Sequence, residues 1–129
     1  MSCPAANDCF VVGNTEGDFT RSAFAARGDG STWSTVDLPS ASFPVVSDVY
    51  CAGASDCTAV GSFYNFPIGF NTLVDHWDGT GWSTVSSPNP ALGRTNSLAS
   101  VTCTSATDCT AVGSTISDAY QRTLVERHT

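Results

Sequence analysis

The residues whose types and spacing could most readily do chemistry are six cysteines. They fall into three pairs, each enclosing five residues: Cys3 with Cys9, Cys51 with Cys57, and Cys103 with Cys109. Neither a Cys-x-x-Cys spacing nor a neighbouring His accompanies them, so zinc or thioredoxin-type chemistry is disfavoured. Cysteines at this density in an acidic chain rich in Gly, Ser and Thr are typical of an oxidising compartment. We therefore predict three structural disulfides in a secreted or cell-surface protein.

The charge composition excludes several classes of function. The chain has 12 acidic residues against 5 Arg, no Lys, and a net charge of -7. This balance argues against nucleic acid as a partner, and no apolar run is long enough for membrane insertion. Without Lys there is no P-loop and no Schiff-base lysine, and two His cannot supply a three-His zinc site. We predict no catalytic residue, no metal and no cofactor.

Two sequence blocks recur along the chain and indicate repeated structural units. One block begins with a Cys pair and ends in Val-Gly, at residues 3–13, 51–61 and 103–113. The other, Asp-Gly-x-x-Trp-Ser-Thr-Val, occupies residues 29–36 and 78–85. The blocks are short, rich in Val, Thr, Phe and Trp, and separated by Gly, Pro, Asn and Asp, which predicts strands and turns. The first Cys recurs after 48 and then 52 residues, a period typical of propellers.

The middle repeat predicts four short strands, near residues 47–51, 57–63, 70–77 and 82–86. Three short antiparallel connections join them, and a long Pro- and Asn-rich link at 87–97 follows. This order is typical of a propeller blade, because its outer strand must cross back to the centre of the next blade. The predicted fold is all-β: a β-propeller segment with about 2.5 to 3 four-stranded antiparallel units and an incomplete ring in one chain.

We predict a single propeller segment over residues 1–129, with repeat units at about 1–46, 47–97 and 98–129. The first unit has little of its first strand, and the third stops before its Asp-Gly turn and fourth strand. Fewer than four blades is below the usual range for a closed propeller, and edge strands rich in Val and Thr invite pairing. We therefore expect a homo-oligomer that completes a ring, the remainder of a longer propeller, or an open array.

The repeat pattern also resembles a known family. Val-x-Cys-x-x-x-x-Asp-Cys-x-Ala-Val-Gly, Thr-Leu-Val-Glu/Asp-x-Trp and Asp-Gly-Thr-x-Trp-Ser-x-Val-x-Ser-Pro are similar to a disulfide-bearing β-propeller repeat of secreted or surface proteins from actinobacteria and related bacteria. The resemblance implies a fold and an extracellular location, but no reaction, because that family is mostly without assigned activity. The first unit departs from the pattern at Gly28 and the third at His128, where the middle unit has Trp77.

Aromatic residues between the second and third strands of the middle unit are the candidate ligand-binding residues. They are Phe63, Tyr64, Phe66 and Phe70, together with Trp77 at the end of the third strand. Loops on a repeated scaffold carry binding specificity, and aromatic rings suit a sugar or a protein partner. The alternative is that these rings pack between neighbouring blades.

The aspartate before the second Cys of each block recurs with the fold, so we expect it to form an Asx-type turn bond with backbone amides. Asp75 and Glu126 also occupy matching positions, and such acids could serve a glycoside-hydrolase-like propeller enzyme. Shared structure explains their recurrence more simply. The sequence therefore favours an extracellular, non-enzymatic module that binds carbohydrate or protein or that assembles, with a glycosidase and a purely structural surface repeat as the alternatives.

Overall fold

The computed structural model describes residues 1–90 and 94–128, and within these ranges the regular elements are β-strands. The eleven strands in chain order are β1 (Ser2–Ala5), β2 (Asp8–Glu16), β3 (Arg21–Gly28), β4 (Trp33–Val36), β5 (Val45–Gly53), β6 (Asp56–Asn65), β7 (Gly69–Trp77), β8 (Trp82–Thr84), β9 (Thr95–Ser105), β10 (Asp108–Ile116) and β11 (Gln121–His128). The predicted all-β class is confirmed.

The strands form two sheets. Strands β1 to β4 pair in chain order as a four-stranded antiparallel sheet. A seven-stranded mixed sheet has the order β11-β10-β9-β7-β6-β5, with β8 also paired with β7. Neighbouring strands of this sheet are antiparallel except β7 and β9, which run parallel and pair at Phe70 and Thr95. We call β1–β4, β5–β8 and β9–β11 the first, second and third meanders. The predicted β-propeller segment is not identified in this arrangement.

Three disulfides join the first two strands of the meanders, as the Cys spacing predicts. They link Cys3 to Cys9, Cys51 to Cys57 and Cys103 to Cys109. In the second and third meanders the bonded cysteines lie directly opposite one another in the strand register. Multiple disulfides indicate an oxidising, extracellular-type environment. Across the described ranges, no helix is long and apolar enough to cross a membrane.

The core lies between the meanders, because successive side chains of a strand point to opposite faces of its sheet. One face of the second meander, with Val49, Ala59 and Leu73, packs against the first meander. Its other face, with Val60 and Val74, packs against the third. The second meander is thus covered on both faces, whereas the first and the third are each covered on one.

Candidate functional site

Aromatic side chains fill the interface between the first and second meanders. Phe10 is fully buried, with its ring centroid 5.2 Å from that of Trp77 and 5.5 Å from that of Trp82, which it meets edge-on. Trp77, a candidate ligand-binding residue from its sequence position, is buried and donates from Nε1 to the carbonyl oxygen of Ala54 at 3.3 Å. The guanidinium of Arg27 lies 5.4 Å from the Phe10 centroid. This interface is closed by side chains of the protein itself.

The aspartate before the second Cys of each block forms a side-chain pair instead of the expected Asx-type turn. Its partner is a basic residue at the matching position of the third strand, 19 or 20 residues later in the chain. The pairs are Asp8 with Arg27, Asp56 with His76, and Asp108 with Arg127. Hydrogen bonds from the guanidinium lower the pKa of Asp8 and of Asp108. The recurring spacing between the acidic and the basic residue is the sequence signal that could have revealed these pairs. It recurs because β2, β6 and β10 each pair with the strand that follows.

A groove of about 970 Å³ opens between the second and third meanders. Its volume falls within the range of roughly 300–1,000 Å³ that is usual for ligand sites. The position that Phe10 holds, directly after the second Cys, is taken in the second meander by Thr58, which lines this groove. A small hydroxyl side chain therefore stands where the other interface has a ring. The groove walls are mainly apolar and include Val60, Val74, Ala111 and Leu124.

Glu126 lies in the wall of the groove, and its two carboxylate oxygens differ in their hydrogen bonding. The Ser87 hydroxyl donates to Oε2, whereas Oε1 is buried with no hydrogen-bond partner among the described residues. Burial raises the pKa of Glu126, and the Ser87 hydrogen bond opposes this shift. A buried acceptor without a hydrogen bond costs free energy, so a hydrogen-bond donor from a ligand would be favourable at this oxygen.

The matching carboxylate, Asp75, has different surroundings. It is buried, and Oδ1 accepts a hydrogen bond of 2.9 Å from the hydroxyl of Thr84 on β8. Burial raises the pKa of Asp75, and the Thr84 hydrogen bond opposes this shift. Glu126 lines the groove, but Asp75 does not. The two acids recur in sequence without sharing a pocket.

The predicted aromatic residues of the middle unit form a second surface feature. Tyr64 lies at its centre, with ring centroids 5.3 Å from Phe70 and 6.4 Å from both Phe43 and Phe66. Phe66 is 80% exposed, and Phe63 is partly buried against the core. A hollow of about 440 Å³ beside them is lined by Ser40, Ala41, Ser42, Phe63, Tyr64, Asn65, Phe66, Leu73 and Thr84. The structure thus brings together four of the five candidate residues and places Trp77 in the core between meanders.

Comparison with protein-family models, with curated proteins and with solved structures finds no match for this chain. The resemblance to the actinobacterial repeat family is therefore not confirmed. An all-β protein with three disulfides is established, and its function must be inferred from its surfaces.

Proposed function

We propose that this protein is an extracellular assembly module made of propeller-type blades, whose copies associate head to tail. The observation that carries the proposal is that each terminal meander exposes a face whose counterpart elsewhere in the chain is covered. Exposed apolar faces of this kind on a small protein are typical of interaction sites.

The exposed face of the third meander carries Val112 and Val125, which lie opposite one another on β10 and β11 and are 41% and 60% exposed. Val60 and Val74 occupy the same register positions in the second meander. There they belong to the apolar core that the third meander covers. The third meander therefore presents the face that a following meander would cover.

The exposed face of the first meander carries Phe24 and Trp33, which are 37% and 40% exposed. Phe24 lies opposite the Gly of its block, as Leu73 does in the second meander, and Trp33 matches Trp82 in the repeated Trp-Ser-Thr-Val segment. Leu73 and Trp82 are only 4% and 9% exposed because the first meander covers them. The first meander therefore presents the face that a preceding meander would cover.

These two faces are complementary, so copies that meet through them form a heterologous, head-to-tail contact. Such contacts generate a ring when the rotation closes and an open array when it does not. Two copies would supply about five blades and three about eight, both within the range of known propellers. Of the three arrangements that the sequence leaves open, the ring-forming oligomer is the form of assembly that we propose.

The test is molar mass by light scattering over a wide range of protein concentration. We expect an oligomer that Val125→Asp and Phe24→Asp each reduce to a monomer, because each buries a charge in the contact. Phe66→Asp is the control, since it places the same charge on an exposed ring outside both faces. Mixing the two monomeric variants should give a dimer, because each retains the face that the other lacks. A wild-type monomer at all concentrations, or no dimer in the mixture, would refute the proposal.

A second candidate function is carbohydrate or protein binding at the aromatic hollow, favoured by the exposure of Phe66 beside Tyr64 and Phe70. It would be tested on a glycan array, where Phe66→Ala should abolish binding and Val125→Ala should not.

A glycosidase gains no support from Asp75, which is buried in the second meander and lines neither the groove nor the hollow. A purely structural repeat would assemble without any such ligand.

A further inference from the structure

The third strand of the first two meanders carries a fourth strand on its outer edge. Strand β4 pairs with β3, and β8 pairs with β7. Both edge strands begin with the same residues, Trp-Ser-Thr. Within the described ranges, β11 pairs with β10 alone. The outer edge of β11 is therefore a place where an extended segment can add by backbone hydrogen bonding.

Strand β8 shows what such a segment contributes. Trp82 lies opposite Trp77 in the register and inserts its ring between the meanders, edge-on to Phe10. Thr84 lies opposite Asp75 and donates its hydroxyl to that carboxylate at 2.9 Å. A Trp and a Thr two residues apart thus point to the same face, one into the core and the other onto a buried acid.

In the third meander, β11 has residues at the positions that contact β8 in the second meander. Trp77 lies opposite Cys57, and His128 lies opposite the equivalent Cys109. Counting back two residues along each strand makes Glu126 the counterpart of Asp75. His128, Glu126 and Thr58 all line the groove of about 970 Å³. The oxygen Oε1 of Glu126 is buried there without a donor among the described residues.

We propose that the outer edge of β11 and the adjoining groove bind an extended strand with a Trp-x-Thr pattern, supplied by a different protein. The strand pairs antiparallel with β11, as β8 does with β7. Its Trp ring enters the groove beside His128 and Thr58, and its Thr hydroxyl donates to Oε1 of Glu126. The head-to-tail contact uses the opposite face of the third meander, where Val112 of β10 is exposed and is not among the residues that line the groove.

The probe is a fluorescein-labelled peptide with the sequence of residues 78–86, Asp-Gly-Thr-Gly-Trp-Ser-Thr-Val-Ser, titrated against the whole protein by fluorescence anisotropy. We expect saturable binding. A peptide with Trp82→Ala should bind at least about thirtyfold more weakly, because a buried aromatic anchor is lost. A peptide with Thr84→Val keeps the shape but loses the donor and should bind about tenfold more weakly.

Variants of the protein test the other half of the contact. Glu126→Ala should weaken binding about tenfold, whereas Glu126→Gln should retain it because the amide oxygen still accepts. Thr58→Phe should tighten binding, since it supplies the ring that Phe10 provides to Trp82. Val112→Asp should leave peptide binding unchanged, because Val112 does not line the groove, but it should disrupt head-to-tail assembly. The two proposals can therefore fail separately.

Several results would overturn the proposal. Equal binding of a scrambled peptide, absence of binding, or full affinity for the Thr84→Val peptide would each do so. The peptide variants test the contact on the wild-type protein even if Glu126→Ala fails to fold. A wild-type dimer that the peptide dissociates, and that persists in Val112→Asp, would identify the occupant as β4 of a second copy and overturn the assignment to a different protein.

Discussion

Gly61 of β6 lies so close to the backbone of β5 that a Cβ at this position would be 1.8 Å from the carbonyl oxygen of Val45. The same contact recurs at Gly113, where a Cβ would be 1.9 Å from the carbonyl oxygen of Ser97. In both meanders the register shifts beside the glycine, as at a β-bulge. At Gly13 of the first meander the nearest atoms belong to the Phe24 ring, at 2.8 Å. The glycine of the repeated block is therefore a backbone requirement in two of its three occurrences.

Substitution by alanine should destabilise the protein to different extents at the three glycines. We expect Gly61→Ala and Gly113→Ala each to lower the free energy of unfolding by about 3 kcal/mol, because a carbonyl oxygen cannot move aside without breaking the strand pairing. Gly13→Ala should cost less than about 1 kcal/mol, since the half-exposed Phe24 ring can rotate away. Urea denaturation measures all three. Equal losses of unfolding free energy in the three variants would show that the β-bulge is not the reason for a glycine at Gly61 and Gly113.

Phe10 and Thr58 each follow the second Cys of their block, but we expect them to contribute differently to the stability of the fold. Phe10→Ala should cost about 3–5 kcal/mol, because it removes a fully buried ring from between Trp77 and Trp82. The tryptophan emission should also change, since the surroundings of both indoles are altered. Thr58→Ala, at the groove, should cost less than about 1 kcal/mol and leave the emission unchanged. A similar loss in both variants would contradict the assignment of the groove as open space.

The Asp8–Arg27 pair should stabilise the fold at neutral pH. We expect Asp8→Asn to lower the unfolding free energy by about 1 kcal/mol at pH 7, the usual size for a partly exposed ion pair. The Arg27 guanidinium lowers the pKa of Asp8 below its ordinary 3.8, so the folded state holds this proton less tightly than the unfolded chain. The stabilisation is therefore present above pH 3.8 and is lost as the pH falls through the lowered pKa of the folded state. Thermal melts from pH 7 to pH 2 should show the wild-type and variant curves converging. A constant gap would exclude the ion pair as its cause.

Asp75 should have the opposite pH dependence. Burial raises its pKa above 3.8, so ionisation is less favourable in the folded state than in the unfolded chain. This carboxyl therefore destabilises the fold as the pH rises through its raised pKa. Asp75→Asn keeps an oxygen for the Thr84 hydroxyl and removes the charge, so the variant should melt higher than the wild type at pH 7. The difference should shrink at a pH below 3.8, where the wild-type acid is protonated in both states. A variant less stable at pH 7 would show that the carboxylate charge is needed.

Features that depend on local spacing were predictable from the sequence. The disulfides close loops within single hairpins, so the cysteine pairs could be assigned from their six-residue separation. The strands of the second meander also lie where the alternation of turns and β-forming residues placed them. Strand β5 extends two residues further than predicted at both ends, and β6 extends one residue further at its start and two at its end. Pairing with a neighbouring strand continues past the point where the composition changes.

Contacts between meanders were not predictable in the same way. The all-β class and the disulfide hairpins follow from the sequence, since these features depend on residues close together in the chain. The burial of Trp77 against Phe10, a residue far from it in sequence, emerges only when the meanders pack together. The same is true of the Glu126 oxygen that lies beside a groove without a hydrogen-bond partner among the described residues. A strand pattern marks two faces, but which face is covered depends on the sheet that packs against it.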